Sequence, residues 1–324
     1  MSGLQLIATG GAIPGWTVTN EDLSRMVDTS DEWITSRTGI RTRHWCTEDE
    51  SAATLAIAAA RQALDRSGLA PADIACCVCA TLSAPDATPS VACQVQAALG
   101  LPENRPALDI NAACSGFLYG MAVARGMLTT LGGQYALVIG CEALSRLMDP
   151  TDRSTCVLFG DGAGAAIFRA AEGTGDSSDT GILATKIYAD GSQYDHLCSD
   201  GGVSLNQKAG FSHMDGKEVF KVAIPSLVQG VEESLKIAGI NINEVNWYVP
   251  HQANLRIIDS VAKKLEIDMD KVVVTVDHHG NTSAASIPLA LAESFAAGKF
   301  KKGDVIAISA MGAGFTWGGM VIRI

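Results

Sequence analysis

"NAACSGFLYGMAVARGML", residues 111–128, has a weaker copy in "NTSAASIPLALAESFAAG", residues 281–298. Each starts at an asparagine, passes through small residues and continues as an apolar run of helical character. Asn111 and Asn281 lie 170 residues apart. A second pair of segments recurs at almost the same offset: "ALDRSGLAPADIACCVCA", 63–80, and "SLKIAGININEVNWYVPH", 234–251. Both lead from a helix through glycine and a polar turn with an acid into a strand. Gly68 matches Gly239 and Ile74 matches Val245, each pair 171 residues apart. A period this long means two fused copies of a domain rather than a solenoid. The polar, Gly- and Ser-rich "RAAEGTGDSSDTG", 169–181, is the expected seam, with one half over 1–172 and the other over 173–324.

The segments around the repeat predict a layered α/β architecture. "LQLIATG" (4–10) and "YALVIG" (135–140) are short apolar runs closed by glycine, the pattern of buried strands. "SAATLAIAAARQALDRSGL" (51–69) reads as a helix with Ser51 as N-cap and Gly68 as stop. Buried strands alternating with such helices predict a mostly parallel sheet. The Gly- and Asp-rich stretch 190–217 reads as a loop, either a cover over a cleft or a passive surface segment.

Composition narrows the function classes. The chain has 324 residues, 47% hydrophobic and 18% charged, enough for a sizeable core. A net charge of −11 argues against wholesale nucleic-acid binding, although local basic patches survive it. The opening "MSGLQLIATGGAIPGW" has no basic stretch before an apolar core, so no secretory signal is expected. No uninterrupted apolar run reaches the roughly 18 residues of a membrane span. Nine cysteines, an odd number without an export signal, predict reduced thiols in the cytoplasm.

Cys114 stands apart from the other eight. The repeat places it at a strand-to-helix turn, where a helix N-terminus favours a thiolate and lowers its pKa. Ala112, Ala113, Ser115 and Gly116 leave room for a substrate. The competing reading is a small buried filler. Cys76, Cys77 and Cys79 sit in an apolar strand whose neighbours face opposite ways, so they form no ligand cluster and no metal is expected. His251 follows a strand and precedes a helix in "VPHQANLRII"; a structural histidine is the alternative there, as it is for His278 and His279. Cys114, His251 and Asn281 each fall at a strand-to-helix turn of one duplicated framework. A nucleophilic thiol with His and Asn nearby suits acyl transfer.

Those turns belong to a longer series. "DEWITSRTGI" (31–40), "NAACSGF" (111–117), "DPTDRST" (149–155), "FGDGAGA" (159–165), "VPHQANLRII" (249–258), "HHGNTSAASIPLAL" (278–291) and "GAGFTWG" (312–318) occur in that order. Together they resemble the β-ketoacyl-acyl carrier protein synthase III family of the thiolase superfamily. The resemblance implies a duplicated thiolase-like α/β fold in five αβαβα layers. It also implies the joining of an acyl-CoA primer to malonyl-acyl carrier protein, with loss of CoA and carbon dioxide and with no separate cofactor.

Carried over position by position, the resemblance makes Cys114 the acyl-carrying nucleophile and His251 and Asn281 donors to the malonyl thioester carbonyl. The backbone N–H groups of Cys114 and Ala313 become an oxyanion hole. Trp33 and Arg153 would sandwich adenine, Arg37 would contact phosphate and Asn254 the pantetheine arm. Arg256, Lys263 and Lys264 would form a face for an acidic carrier protein, with a solvated helix face as the alternative. A homodimer is implied, with Thr88 at the end of the partner's acyl tunnel. Two departures from the family pattern are Thr88, smaller than the residue in some members, and Met311, where an aromatic is common. A degradative thiolase would need a second cysteine near the C-terminus, but the last here is Cys198. A secondary-metabolite condensing enzyme or acyltransferase of the same superfamily stays open, as does a non-catalytic carrier-binding paralogue.

Overall fold

The computed structural model describes residues 2–174 and 176–324; Met1 and Gly175, the latter in the expected seam, lie outside the described residues. The first half contains β1 (Ser2–Ala12), β2 (Trp16–Thr19), α1 (Asn20–Ser24), α2 (Asp31–Thr38), β3 (Thr42–Trp45) and α3 (Ala52–Ser67). It continues through β4 (Ile74–Ala80), α4 (Val91–Leu99), β5 (Ala107–Ile110), α5 (Gly116–Leu131), β6 (Tyr135–Glu142) and β7 (Gly162–Glu172). The second contains β8 (Gly181–Ala189), β9 (Leu197–Ser199), β10 (Ser212–Met214), α6 (Gly216–Ala238), β11 (Trp247–Pro250) and α7 (Leu255–Lys264). It ends with α8 (Val276–His279), α9 (Ser286–Ala296), β12 (Val305–Gly312) and β13 (Thr316–Arg323).

Two sheets carry the fold, in strand orders β1-β7-β6-β4-β5 and β11-β12-β13-β8. Central helices α5 and α9 lie between them, α3 and α4 cover the outer face of the first, and α6 and α7 cover the second. This is the five-layered αβαβα thiolase-like fold. The expected parallel character holds only in part. β4 pairs in parallel with β5 and β6, and β11 with β12, whereas the β6–β7, β7–β1, β12–β13 and β13–β8 pairs are antiparallel. A parallel return needs a long crossover. The 143–161 segment forms only a short 3-10 turn, so β7 comes back beside β6 in the opposite sense.

The repeat reappears residue by residue. Gly68 and Gly239 both end their helices in the left-handed conformation, at φ 69° and 66°. Each is followed by a 3-10 turn, Pro71–Asp73 or Ile242–Glu244, that delivers the chain into β4 or β11. Asn111 and Asn281 open matching turns. The Oδ1 of each accepts the backbone N–H two residues on, from Ala113 at 3.2 Å and from Ser283 at 2.9 Å. Ala113 and Ser283 are both left-handed, at φ 46° and 48°.

Small residues set the layer spacing. α3 starts where Ser51 accepts the Thr54 N–H, and it buries an alanine-rich face. A Cβ on Gly10 of β1 would come within 2.2 Å of the Ala59 carbonyl oxygen, so α3 lies directly on the strand backbone. In β4 the thiols alternate as strand geometry requires. Cys76 enters the core between the sheets, and Cys77 and Cys79 enter the outer core under α3 and α4. The 190–217 segment contains a 3-10 turn and the β9–β10 hairpin. Among the described residues no helix is long and apolar enough to cross a membrane.

Candidate active site

The two Asn turns face each other between the sheets. The first, Ala113–Ser115, carries buried Cys114 and feeds α5; the second, Ser283–Ala285, follows Asn281 and feeds α9. Glycines let them close. A Cβ on Gly140 would sit 2.1 Å from the Ala284 oxygen, and one on Gly116 would sit 3.3 Å from the Ala284 Cβ. The end of β12 closes the third side, where a Cβ on Gly312 would lie 2.5 Å from the Cys114 nitrogen. Ala313 follows directly. Thr316 ties this corner together, donating to the Ala112 carbonyl at 2.9 Å and accepting from Ser115 at 2.8 Å.

His251 leaves β11 with its N–H donating to the Ser309 carbonyl at 2.8 Å. Its ring Nδ1 lies 2.7 Å from Ser286 Oγ, at the start of α9. Ser286 Oγ also accepts the Gln252 N–H at 3.4 Å. The assignment that uses every group has the Ser286 hydroxyl donating to Nδ1, which leaves the proton on Nε2. Burial lowers the His251 pKa to about 4, so near neutral pH the ring is an uncharged donor. Asn281 is held by its backbone: its N–H donates to Leu158 at 2.8 Å and its carbonyl accepts from Gly160 at 3.0 Å. With Oδ1 committed to Ser283, the Nδ2 amide has no hydrogen-bond partner among the described residues and is available to donate.

The thiol differs from its sequence expectation. Burial pushes the Cys114 pKa up to about 12; Ser283 lowers it and Glu142 raises it. The helix N-terminus is there, but a short buried turn with a carboxyl beside it opposes the thiolate more than the helix supports it. Ser283, Ser286, Glu142 and Thr316 were missed from sequence. Their signal was weak: small polar residues in otherwise apolar helix starts and one acid ending an apolar strand.

The residues expected to hold CoA lie in contact with one another where α2 meets α7. The Arg37 and Arg153 guanidinium carbons lie 4.9 and 5.2 Å from the Trp33 ring centroid. Arg153 also donates to the Asp28 carbonyl at 2.7 Å. Asn254 caps α7, and its Nδ2 donates to the Arg37 carbonyl at 3.2 Å. Arg153 thus rests directly on Trp33, so a base entering between them has to part the two. Arg256, Lys263 and Lys264 are exposed on α7, spaced to share one face that also carries Asp259. Met311 is buried in the core of the second sheet. Thr88 is exposed in the segment between β4 and α4, far in sequence from the turns above.

His278 and His279 form a clasp instead of joining this centre. Both ring Nε2 atoms bond Glu293 of α9, and His278 Nδ1 lies 2.8 Å from Asp277. Their donor atoms fall within 4.8 Å of one another, yet each is already engaged in this network. The Asp277 and Glu293 hydrogen bonds raise His278 to about 9. Burial would raise Glu293, but the bonds from both histidines outweigh it and hold it near 2. The His278 contribution is therefore full below about 6.5 and lost as pH rises through about 9. The Glu293 contribution is full above about 4.5 and lost as pH falls through about 2. Both side chains are more than 40% exposed, so screening limits the clasp to about 1 kcal/mol. Urea midpoints of the parent and His278→Ala should differ most between pH 4.5 and 6.5 and converge at alkaline pH. A pH-independent difference would mean that His278 acts through packing.

Comparison with known proteins places this geometry. Residues 108–191 match the family model described as 3-oxoacyl-[acyl-carrier-protein (ACP)] synthase III, and 235–324 match that of its C-terminal region. The chain is 49% identical over 318 residues to the β-ketoacyl-[acyl-carrier-protein] synthase III of Rhodospirillum centenum, covering 98% of each protein. The crystal structure of 3-oxoacyl-[acyl-carrier-protein] synthase III from Aquifex aeolicus superposes with a TM-score of 0.92 at 45% identity, covering 99% of this chain and 100% of that one. The priming β-ketosynthase of the R1128 polyketide pathway superposes with a TM-score of 0.92 at 31% identity, over 99% and 96% of the two chains. With matched segments in both halves and half of all positions shared over nearly full length, the chain belongs to the 3-oxoacyl-[acyl-carrier-protein] synthase III family.

Proposed function

We propose that Cys114, His251 and Asn281 carry out the family's decarboxylative Claisen condensation, which joins an acyl-CoA primer to malonyl-acyl carrier protein and initiates fatty acid biosynthesis. One observation carries this assignment: the 281–286 turn packs against the turn that bears Cys114, holds His251 through Ser286 and begins with Asn281. The Cys114 sulfur attacks the primer thioester, and CoA leaves with the proton. Malonyl-carrier protein then enters. His251 Nε2 and Asn281 Nδ2 donate to its thioester carbonyl and stabilise the enolate as carbon dioxide departs. The enolate carbon attacks the acyl-cysteine, whose oxyanion accepts from the Cys114 and Ala313 N–H groups. Decarboxylation supplies the carbanion, so the scheme calls on no further cofactor.

The same reading assigns Trp33, Arg37, Arg153 and Asn254 to CoA, and Arg256, Lys263 and Lys264 to the acidic carrier protein. It takes the chain as two halves, 1–172 and 173–324, in a homodimer whose acyl tunnel ends at Thr88 of the other copy. The nine unpaired thiols support a reducing, cytoplasmic setting. The polyketide priming synthase keeps secondary metabolism as the second reading, although the fatty-acid relatives are closer in sequence.

The test is a panel of acyl-CoA primers with malonyl-carrier protein, read by product mass, with Arg256→Glu as a second arm. A β-ketoacyl-carrier product from short primers is expected. Arg256→Glu should cut turnover with malonyl-carrier protein by about tenfold at low salt while sparing acylation by acyl-CoA. No condensation product with any primer would sink the activity. Equal losses in both half-reactions would sink the docking face.

A further inference from the structure

Two buried polar atoms on the elements packed around the Cys114 turn have no hydrogen-bond partner among the described residues: Ser283 Oγ and Glu142 Oε1. Glu142 ends β6 and has no exposed surface; Ser283 is 1% exposed. Gly140, two residues earlier on the same strand face, packs against the Ala284 carbonyl, so Glu142 emerges under the same turn. The Ser283 hydroxyl influences both Cys114 and Glu142, and the Glu142 charge in turn opposes the thiolate. The three side chains therefore sit where the end of β6, the Cys114 turn and the Ser283 turn pack together, with the Ser283 hydroxyl free to turn toward either the thiol or the carboxyl.

The two carboxyl oxygens of Glu142 are treated unequally. Oε2 accepts from Thr81 Oγ1 at 3.3 Å, from the Leu82 N–H at 3.2 Å and from Ser83 Oγ. Oε1 has nothing. Ionised and bare in a dry space, that oxygen is costly; protonated, it becomes a donor to Ser283. Among the described residues, Cys114 is the titratable group on which its charge acts. Thr81, Leu82 and Ser83 after β4, Gly162 of β7 and Ala284 of the turn bring no charge.

We propose that Glu142, a positioning residue acting through the Ser283 hydroxyl, takes up the Cys114 proton during acyl transfer from CoA and returns it to the departing thiolate. This rests on Cys114 being the acyl-carrying nucleophile. The Cys114 S–H bond breaks and its proton passes to Ser283 Oγ, while the Ser283 proton passes to Glu142 Oε1. The freed sulfur pair forms the bond to the acyl carbon. The bond from that carbon to the CoA sulfur breaks, and the CoA thiolate recovers a proton by the reverse route. Neutralising Glu142 also removes the charge that opposed the thiolate, and the single negative charge moves from Glu142 to the sulfur, on to the acyl oxygen and the CoA thiolate, and back to Glu142 when that thiolate is protonated. Burial raises Glu142 to about 7 despite its hydrogen bonds, which suits a group that must accept and release near neutrality.

The experiment is single-turnover acylation by acetyl-CoA, quenched and read by peptide mass, across a pH series. For the parent, the rate should rise with pH and level off above about 7. Glu142→Gln can keep the three bonds to Oε2 on its amide oxygen while its amide donates to Ser283, so it preserves the fold. It should acylate at least about tenfold more slowly near pH 7 and climb with hydroxide concentration without levelling off. Ser283→Ala breaks the route with the carboxyl intact, should give the same profile, and decides the matter alone if Glu142→Gln does not fold. The inference is overturned if both folded variants keep the parent rate and its levelling. An adduct on another cysteine overturns the Cys114 assignment and this inference with it; an unchanged profile with the adduct on Cys114 overturns the inference alone.

Discussion

Incubation with acetyl-CoA should label one peptide, that containing Cys114, and Cys114→Ala should remain unlabelled and lose condensation by roughly 10⁴-fold or more. The structure gives reasons for such selectivity among nine free thiols. Cys76, Cys77, Cys79 and Cys141 are buried with their side chains packed into the strand cores. Cys46 and Cys156 are likewise packed into core clusters. Cys93 and Cys198 are only part-buried and are the competitors to watch. Cys114 alone combines burial with a start-of-helix turn, a hydroxyl neighbour and the backbone of Gly312 against its N–H. Labelling mainly on Cys93 or Cys198, with Cys114→Ala still active, would remove the nucleophile from the scheme.

His251→Ala and Asn281→Ala should separate the two half-reactions. Both variants should still form acyl-enzyme, because neither side chain is needed to attack the primer thioester. Both should release carbon dioxide from malonyl-carrier protein about 10²–10³-fold more slowly, the usual cost of removing one oxyanion donor from a dry site. The neutral, Ser286-held imidazole also predicts that decarboxylation shows no dependence on His251 protonation above about pH 4. Carbon dioxide release at the parent rate in either variant would end that residue's role. Loss of acylation in both would mean that the turn had collapsed.

Much of this fold was legible because repeats and caps are local. Gly68 and Gly239 end helices by a conformation that glycine adopts at little cost, and the matching asparagines open turns through their own side chains. The direction of the strands was less legible. A mostly parallel sheet was expected, but β7 and β13 return antiparallel because the segments before them make no crossover helix. Of the candidate site residues, Cys114 and Asn281 lie on turns that pack together, and His251 reaches the second turn through Ser286. The supporting hydroxyls did not show, since a buried serine and a surface serine look alike in sequence.

The sequence by itself determined the duplication, the turns at Asn111 and Asn281, the position of Cys114 at a helix start and the family resemblance. All are set by residue type and short spacing, which survive without knowledge of distant contacts. Only the tertiary structure decided the electrostatics of the centre. Whether Cys114 is a ready thiolate depends on how deeply the two halves bury it and on Glu142 and Ser283, which come from β6 and from the other half's turn. Desolvation and charge act through space over a few ångströms, between residues far apart in the chain. Thus a motif can name the nucleophile, but the packing of one sheet against the other sets where its proton goes.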